Sequence, residues 1–192
     1  MRFILASASP RRKELLTAAG FEYEVRPADI DETIPSDTPT ELVAEFLSRK
    51  KALSVLEKNP DAVVLGSDTI VVLDGSILGK PHDTAEASDM LHRLSGKAHR
   101  VYTGVCVCSS EKTLALTSFT DVYFRKLSDK LIDAYIATGE PMDKAGAYGA
   151  QGLGSTIIKK IDGDFFTVMG LPIADTARLL SEFGVVGALP MA

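Results

Sequence analysis

The sequence predicts an α/β fold with a mixed sheet, flanking helices and one domain, residues 1–192, whose two lobes surround a cleft. Apolar stretches of strand and helix periodicity follow one another without strict β–α alternation, which favours a sheet of parallel and antiparallel strands. The continuous apolar stretch 62–66 is typical of a strand covered on both faces. Asp74-Gly75 between two apolar stretches indicates a hairpin.

Periodicity and turn residues then predict each element in order. Strands are expected at 2–6, 23–27, 62–66, 69–73, 76–78, 100–109, 114–124 and 156–161, and helices at 10–19, 40–59, 84–95, 129–138 and 175–183. Ser9 is expected to cap the first helix, with Pro10 at its first position and Gly20 after its end. Thr40 is expected to cap the second helix. The apolar stripe of that helix is expected to comprise Leu42, Val43, Phe46, Leu47, Ala52, Leu53 and Leu56.

Composition narrows the class of protein. The net charge of −5 argues against extended binding to a nucleic-acid backbone, which requires a basic face. No apolar run reaches the roughly 18 residues of a membrane span, and the N-terminal stretch lacks the apolar region of a signal peptide. Cys106 and Cys108 would share one strand face without forming a CxxC motif. A cytoplasmic protein with buried, reduced thiols is therefore predicted.

The clearest functional signal lies where the first strand leads into the first helix. Arg11, Arg12 and Lys13 fall in the first helical turn, where cations oppose the helix dipole unless an anion is present. Free helix N–H groups together with arginine are typical of a phosphate site. A solvated basic turn is the alternative, and the anion site is the better interpretation.

Two further segments carry charge beside turn residues. Asp68 follows the buried strand 62–66, at the strand end where α/β sheets bind ligands, and could hold a cation or activate water. A turn aspartate bonded to its own backbone is an equal alternative. Lys80, between glycine and proline, could contact a phosphate or be a surface lysine in a turn.

A glycine-rich segment and an acidic loop complete the pattern. Segment 140–154 contains four glycines and Gln151, whose amide can read a base edge. The acidic loop 28–33 offers oxygen ligands that suit Mg²⁺ or Mn²⁺, although a solvated loop is its simpler interpretation. Of Lys50 and Lys51 in the second helix, one could face the cleft. Together these pieces indicate phosphoanhydride chemistry on a nucleotide.

Five motifs, in this order, resemble the Maf septum-formation family. They are ILASASPRRKELL, VVLGSDTIVVLDGSILGKP, MLHRLSGKAHRVYTGV, EPMDKAGAYGAQGLG and DGDFFTVMGLP. The resemblance extends from Arg2 to about Phe183. It implies a fold similar to that of inosine-triphosphate pyrophosphatases, a homodimer, a divalent metal cation, and cleavage of nucleoside triphosphates to monophosphate and pyrophosphate.

The resemblance also implies roles for individual residues. Ser9, Arg11 and Arg12 would bind the triphosphate, and Lys51 and Lys80 would neutralise its charge. Asp68 would accept a proton from the attacking water and contact the metal, with Glu32 assisting at the metal. Arg12, Thr69 and Gln151 match the positions that distinguish the dTTP/UTP branch. Ser67 departs from that branch, which more often carries alanine there.

The expected function is thus hydrolysis of dTTP and UTP, with modified pyrimidine triphosphates as further candidates, by metal-assisted attack of water. Two alternatives stay open. One is pyrophosphatase activity on 7-methyl-GTP or on inosine and xanthosine triphosphates. The other is a nucleotide-binding regulator of septum formation without catalytic activity.

Overall fold

The structure, a computed structural model, describes residues 2–189 as an α/β protein. Its strands are β1 (Phe3–Leu5), β2 (Glu24–Val25), β3 (Val63–Leu73), β4 (Ser76–Leu78), β5 (Ala98–Cys108), β6 (Thr113–Phe124) and β7 (Ile158–Asp162). Its α-helices are α1 (Pro10–Ala18), α2 (Val43–Glu57), α3 (Thr84–Leu94), α4 (Asp129–Ala137), α5 (Phe165–Met169) and α6 (Ile173–Ser181). Short 3-10 helices occupy Thr40–Leu42, Glu140–Asp143, Ala145–Ala147 and Gly152–Thr156.

The sheet is mixed, as predicted. Its strands are hydrogen-bonded in the order β2-β1-β3-β5-β6-β7, and β4 pairs with β3 beside this path. β1 runs parallel to β2 and to β3, with Ile4 opposite Glu24 and Val64. β4 runs antiparallel to β3 across the two-residue turn Asp74-Gly75, and β7 runs antiparallel to β6. The α/β class with a mixed sheet is therefore confirmed.

The chain divides into two compact units. Within the described residues, unit 1 comprises 2–68, Thr103–Ser118 and 170–189. It contains β1, β2, α1, α2 and α6, with a core in which small and branched side chains of β1, α2 and β3 pack on the two thiols of β5. This core contains Ile4, Ala6, Ala52, Val55, Ala62, Val64, Cys106 and Cys108. The predicted burial of both cysteines is confirmed.

Unit 2 comprises Thr69–Tyr102 and Phe119–Met169. It contains β4, α3, α4, β7 and α5, and its core joins the apolar faces of α3 and α4 to the strand residues around them. Its largest fully buried side chains include Leu73, Leu91, Leu94, Ile132 and Ile157. The prediction of one domain with two lobes around a cleft stays a prediction.

Three predicted elements need correction. The two strands predicted at 62–66 and 69–73 are one continuous strand, β3, so Asp68 lies within a strand instead of after one. The second helix begins at Val43, because Leu42 N bonds Pro39 O at 2.9 Å and closes a 3-10 turn that contains Thr40. Thr40 therefore does not cap α2. Of the predicted stripe, Leu42 and Leu53 are 47% and 46% exposed.

The other predicted elements differ from the structure only at their ends, but α5 and the 3-10 helices between residues 140 and 156 form where no helix is predicted. Gly20, after α1, has a φ of +75°, in keeping with its predicted place beyond the helix C-terminus. Asp74 and Gly75 both have positive φ, as a type I′ hairpin turn requires. Among residues 2–189, every helix is too short or too polar to cross a membrane.

Candidate active site

Helix α2 lies close against the sheet at two glycines of unit 1. A Cβ on Gly66 of β3 would stand 2.3 Å from the carbonyl oxygen of Ser48, and one on Gly104 of β5 would stand 2.2 Å from the carbonyl carbon of Ala44. Contacts this short exclude any side chain at either position. Glycine within the GSDT motif thus serves the close packing of a helix on a strand, and no turn forms there.

This close approach brings Lys51 of α2 to Asp68 of β3. Lys51 Nζ lies 2.5 Å from Asp68 Oδ1 and 2.8 Å from Glu32 Oε1. The Lys51 and Asp68 side chains are only 13% and 12% exposed, whereas Glu32 is 57% exposed. One nearly buried ammonium therefore joins two carboxylates. The alternative in which Asp68 is a turn aspartate does not apply.

Lysines on successive positions of α2 hold the acidic loop that carries Glu32. Lys50 Nζ donates to the carbonyl oxygen of Asp31 at 2.5 Å, next to the Lys51–Glu32 pair. Inside the loop, Asp31 Oδ1 accepts from the hydroxyl and the amide of Thr33, and these bonds lower the pKa of Asp31. The loop is therefore tied to the helix instead of being fully solvated.

The contacts of Arg12 include two hydrogen bonds within unit 1. Its Nε donates to the carbonyl oxygen of Gly170 at 2.9 Å, and its Nη1 donates to Ser7 Oγ at 3.0 Å. Burial lowers the pKa of the Arg12 guanidinium, although the nearby carboxylates of Asp68 and Glu32 act in the opposite direction. Arg12 therefore lies within electrostatic range of the Lys51 cluster and has a fixed orientation.

The predicted cap of α1 is wrong in one respect. Ser9 occupies the N-cap position and Pro10 the first turn, but the Ser9 side chain makes no capping hydrogen bond. The backbone amide of Ser9 donates a hydrogen bond to Ser7 Oγ at 3.2 Å. Ser7, nearly buried in the loop before α1, thus accepts from both Ser9 and Arg12.

The buried Ser67 belongs to the same network. Its hydroxyl donates to the carbonyl oxygen of Gly170 at 2.9 Å, the same atom that accepts from Arg12. Side chains on a strand alternate between faces, so Ser67 and Asp68 point to opposite sides of β3. The serine at position 67, where the dTTP/UTP branch more often carries alanine, therefore points away from the Lys51–Asp68 pair.

Arg11 lies in α1 of unit 1 and is half-buried, and the other three candidate residues belong to unit 2. Thr69, directly after Asp68 in β3, is half-buried, whereas Lys80 and Gln151 are exposed. The loop of Lys80 is tied to the glycine-rich segment, since the amide of Gly146 donates to the carbonyl oxygen of Gly79 at 3.0 Å. Within unit 2, this hydrogen bond connects the loop of Lys80 to the segment that contains Gln151.

Two acidic side chains of this cluster have the chemistry to hold a divalent cation. No cluster of three or more His, Cys, Asp or Glu side chains able to hold a metal occurs in residues 2–189. Asp68 and Glu32 nevertheless share one cationic partner, so both carboxylates face the same point. Mg²⁺ typically takes one or two carboxylates together with phosphate oxygens and water, and this donor set agrees with that pattern.

Sequence reasoning missed three parts of this arrangement. The Ser7 hydroxyl and the Gly170 carbonyl hold Arg12, and Glu140 binds backbone amides of the glycine-rich segment. A small polar residue next to the predicted anion site was the available signal for Ser7. Gly170 contributes only a backbone atom, which residue type does not reveal.

The chain matches one family model and has relatives about half identical to it. A family model described as Maf-like protein matches residues 2–183. The chain is 49% identical over 186 residues to a dTTP/UTP pyrophosphatase of Aquifex aeolicus (strain VF5), with 97% of each chain covered. It is 51% identical over 185 residues to a dTTP/UTP pyrophosphatase of Bacillus pumilus (strain SAFR-032), with 96% of this chain and 97% of the relative covered. Among solved structures, that of the Staphylococcus aureus Ham1 protein matches with a TM-score of 0.45 and 14% identity, over 82% of this chain and 80% of that chain.

Proposed function

Since this chain belongs to the family of Maf-like proteins, we propose that it is a nucleoside triphosphate pyrophosphatase that hydrolyses dTTP and UTP to the monophosphate and pyrophosphate. The names of relatives that match nearly the whole chain at about half identity support this substrate class. The observation that carries the chemistry is the nearly buried pair of Lys51 and Asp68, with Glu32 on the same ammonium.

In this proposal Asp68 accepts the proton of the attacking water. Lys51 holds Oδ1 of Asp68, so the carboxylate has a fixed direction before substrate arrives. A general base must lie within hydrogen-bond reach of the water that it activates, and fixing its orientation keeps it there. Glycine at position 66 allows α2 to lie near enough for this contact.

The cationic residues bind the triphosphate and stabilise the charge that develops during cleavage. Arg11 and Arg12 lie in the first turn of α1, where Ser9 adds a hydroxyl at the N-cap position. Lys51 and Lys80 contribute further positive charge as point donors. Contacts from Ser7 and Gly170 pre-orient Arg12, and pre-oriented charge is the main source of rate in phosphoryl transfer.

Asp68 and Glu32 are the proposed ligands of Mg²⁺ or Mn²⁺. When bound, the cation supplies Lewis-acid neutralisation of phosphate charge. Glu32 reaches this position because Lys50 and Lys51 hold its loop on α2. Substrate choice is assigned to Arg12, Thr69 and Gln151, with the Gln151 amide reading a pyrimidine edge.

A homodimer in the cytoplasm is the proposed physiological form. In the reducing cytoplasm both buried cysteines would stay as thiols. A link to septum formation, or to removal of non-standard nucleotides, would follow from the family.

The test is pyrophosphate release from dTTP, UTP, CTP, ITP, XTP and 7-methyl-GTP, each with Mg²⁺, with Mn²⁺ and with chelator. Metal-dependent release led by dTTP and UTP is expected. Release led by another base would keep the chemistry and overturn the roles of Thr69 and Gln151. Binding of nucleotide without any release would instead favour the regulator.

A further inference from the structure

The Glu140 carboxylate of unit 2 binds three donors around the glycine-rich segment. Oε1 accepts from the amide of Gly154 at 2.9 Å and from the Tyr135 hydroxyl at 2.9 Å. Oε2 accepts from the amide of Leu153 at 3.0 Å. The Tyr135 oxygen in turn accepts from the amide of Gly149 at 3.1 Å. One carboxylate and one phenol thus hold both ends of the segment 149–154.

At Gly152 and Gly154 the segment lies so close to these groups that a side chain would collide with them. A Cβ on Gly152 would stand 2.8 Å from Glu140 Oε2, at a φ of +67°. A Cβ on Gly154 would stand 2.6 Å from the Tyr135 hydroxyl. Glycine at these positions therefore allows the backbone to wrap around the carboxylate.

The surroundings of Glu140 favour its ionised carboxylate, which accepts hydrogen bonds. Burial would raise the pKa of Glu140, but the amides of Gly154 and Leu153, the Tyr135 hydroxyl and the Lys144 ammonium together lower it. An ionised carboxylate accepts through both oxygens, and such charge-assisted bonds are about twice as strong as neutral ones.

Gln151 lies within this held segment, and its own side chain is exposed. Its backbone is extended, with φ of −98° and ψ of 170°, and only Gly152 separates it from Leu153 and Gly154, whose amides bond Glu140. The position and orientation of Gln151 therefore depend on the hydrogen bonds that Glu140 and Tyr135 make to other residues of the segment.

We propose that Glu140 is a positioning residue for base selection, because its carboxylate fixes the loop from which Gln151 contacts the base of a bound pyrimidine nucleotide. The inference rests on the proposed function and deepens it. Glu140 does not contact the nucleotide. Loss of its bonds would let the loop sample other conformations and would weaken the preference for one base over another.

The decisive variant is Glu140→Gln, which keeps the shape but presents an NH₂ group to a backbone N–H. Tyr135→Phe is a milder second variant that removes one bond to Glu140 and one to Gly149. Asp133→Asn, an exposed carboxylate on the same helix as Tyr135, is the matched control. For each, kcat and KM are measured with dTTP and with CTP, and amide hydrogen exchange is followed over 149–156.

Glu140→Gln is expected to reduce the ratio of kcat/KM for dTTP over CTP by about tenfold, the equivalent of one hydrogen bond. Gln151→Ala should reduce it equally, and the double variant no further, because both changes remove the same contact. Exchange over 149–156 should rise in Glu140→Gln and stay unchanged in Asp133→Asn. Tyr135→Phe should give a smaller change in the same direction.

Equal losses for dTTP and CTP in Glu140→Gln and Tyr135→Phe, with the ratio unchanged, would show a purely structural role and overturn the inference. The inference would also be overturned if the wild type is active and Gln151→Ala has the same ratio of kcat/KM for dTTP over CTP. In both cases pyrophosphate release from dTTP by the wild type would leave the proposed activity standing. A wild type that releases no pyrophosphate would overturn the proposed function and this inference together.

Discussion

Lys51 of α2 donates to Asp68 of β3, with Nζ 2.5 Å from Oδ1, and both side chains are nearly buried. The contact joins a helix to the central part of a strand. Its geometry follows from backbone packing, because Gly66, two residues before Asp68 and on the same strand face, admits α2 to within contact of the sheet. The direction of the proposed base is therefore set by the fold before any ligand binds.

Asp68→Asn should abolish most turnover while nucleotide binding is kept. The amide has nearly the same shape but cannot accept a proton from water, and general-base catalysis is worth about 10²- to 10⁴-fold in rate. The measurement is kcat for pyrophosphate release together with the dTTP dissociation constant by calorimetry. Asp61→Asn, an exposed aspartate paired with Arg2, is the control that should retain activity. Normal turnover of Asp68→Asn would remove Asp68 from the catalytic role.

Lys51→Met should destabilise the protein and increase its response to divalent cations. Without the ammonium, the carboxylates of Asp68 and Glu32 lose the one cation that contacts both, although Arg12 stays nearby. Breaking a nearly buried pair costs about 3 kcal/mol. Mg²⁺ should then raise the melting temperature more in Lys51→Met than in wild type, because it would take the place of the lost charge.

Lys58→Met is the matched control for this experiment. Lys58 is an exposed lysine at the C-terminal cap of the same helix, α2. Its removal should leave the response to Mg²⁺ as in wild type. An equal Mg²⁺ effect on both variants would argue against metal binding by Asp68 and Glu32.

Gly66→Ala should lower the free energy of unfolding by about 3 kcal/mol, measured by urea denaturation. The added Cβ would meet the carbonyl oxygen of Ser48 at 2.3 Å and the amide of Ala52 at 2.8 Å, both backbone atoms that cannot move aside alone. Gly79→Ala has open space around its Cβ and should be neutral. Similar stabilities for the two variants would mean that α2 does not depend on Gly66 for its place on β3.

These residues also show what sequence patterns could and could not predict. Gly66, Ser67 and Asp68 interrupt an apolar stretch and have the composition of a turn, so the sequence predicts two strands where β3 is continuous. The interruption reflects packing on α2 and contact with Lys51, which are long-range relations that local propensity does not contain. Thr40 likewise resembles a cap, but Pro39 closes a 3-10 turn around it.

The candidate residues themselves were more predictable than their contacts. Positive charge in the first turn of a helix singles out Arg12, and a carboxylate beside a buried strand singles out Asp68; the structure adds their partners. Lys51 is assigned only by the family resemblance, because in the sequence either Lys50 or Lys51 could face the cleft. The contacts of Glu140 with Leu153 and Gly154 use backbone amides, which are present at every residue and leave no trace in composition.

His99 should make the stability of the protein depend on pH between about 4 and 6.5. The imidazole is 4% exposed, its Nε2 lies 2.7 Å from the Tyr148 hydroxyl, and the rings of Phe124 and Tyr148 meet it edge to face. Burial lowers the pKa of His99 to about 4, with Asp121 acting weakly in the opposite direction.

In the unfolded chain this histidine takes up a proton near pH 6.5, whereas the folded protein does not until about pH 4. The free energy of unfolding should therefore fall as the pH is lowered through this window, by on the order of 3 kcal/mol, and the contribution should level off below it. Above pH 6.5 the contribution is complete.

His99→Gln should flatten this dependence, because the amide does not titrate and can still bond Tyr148. Urea denaturation at a series of pH values between 4 and 7.5 measures the slope. His92→Gln is the control: bonds to Ser88 and Asp129 raise the pKa of this exposed histidine, so its contribution has the opposite sign and its removal cannot flatten the curve. Parallel curves for wild type and His99→Gln would show that the buried imidazole is not the group that destabilises the fold in acid.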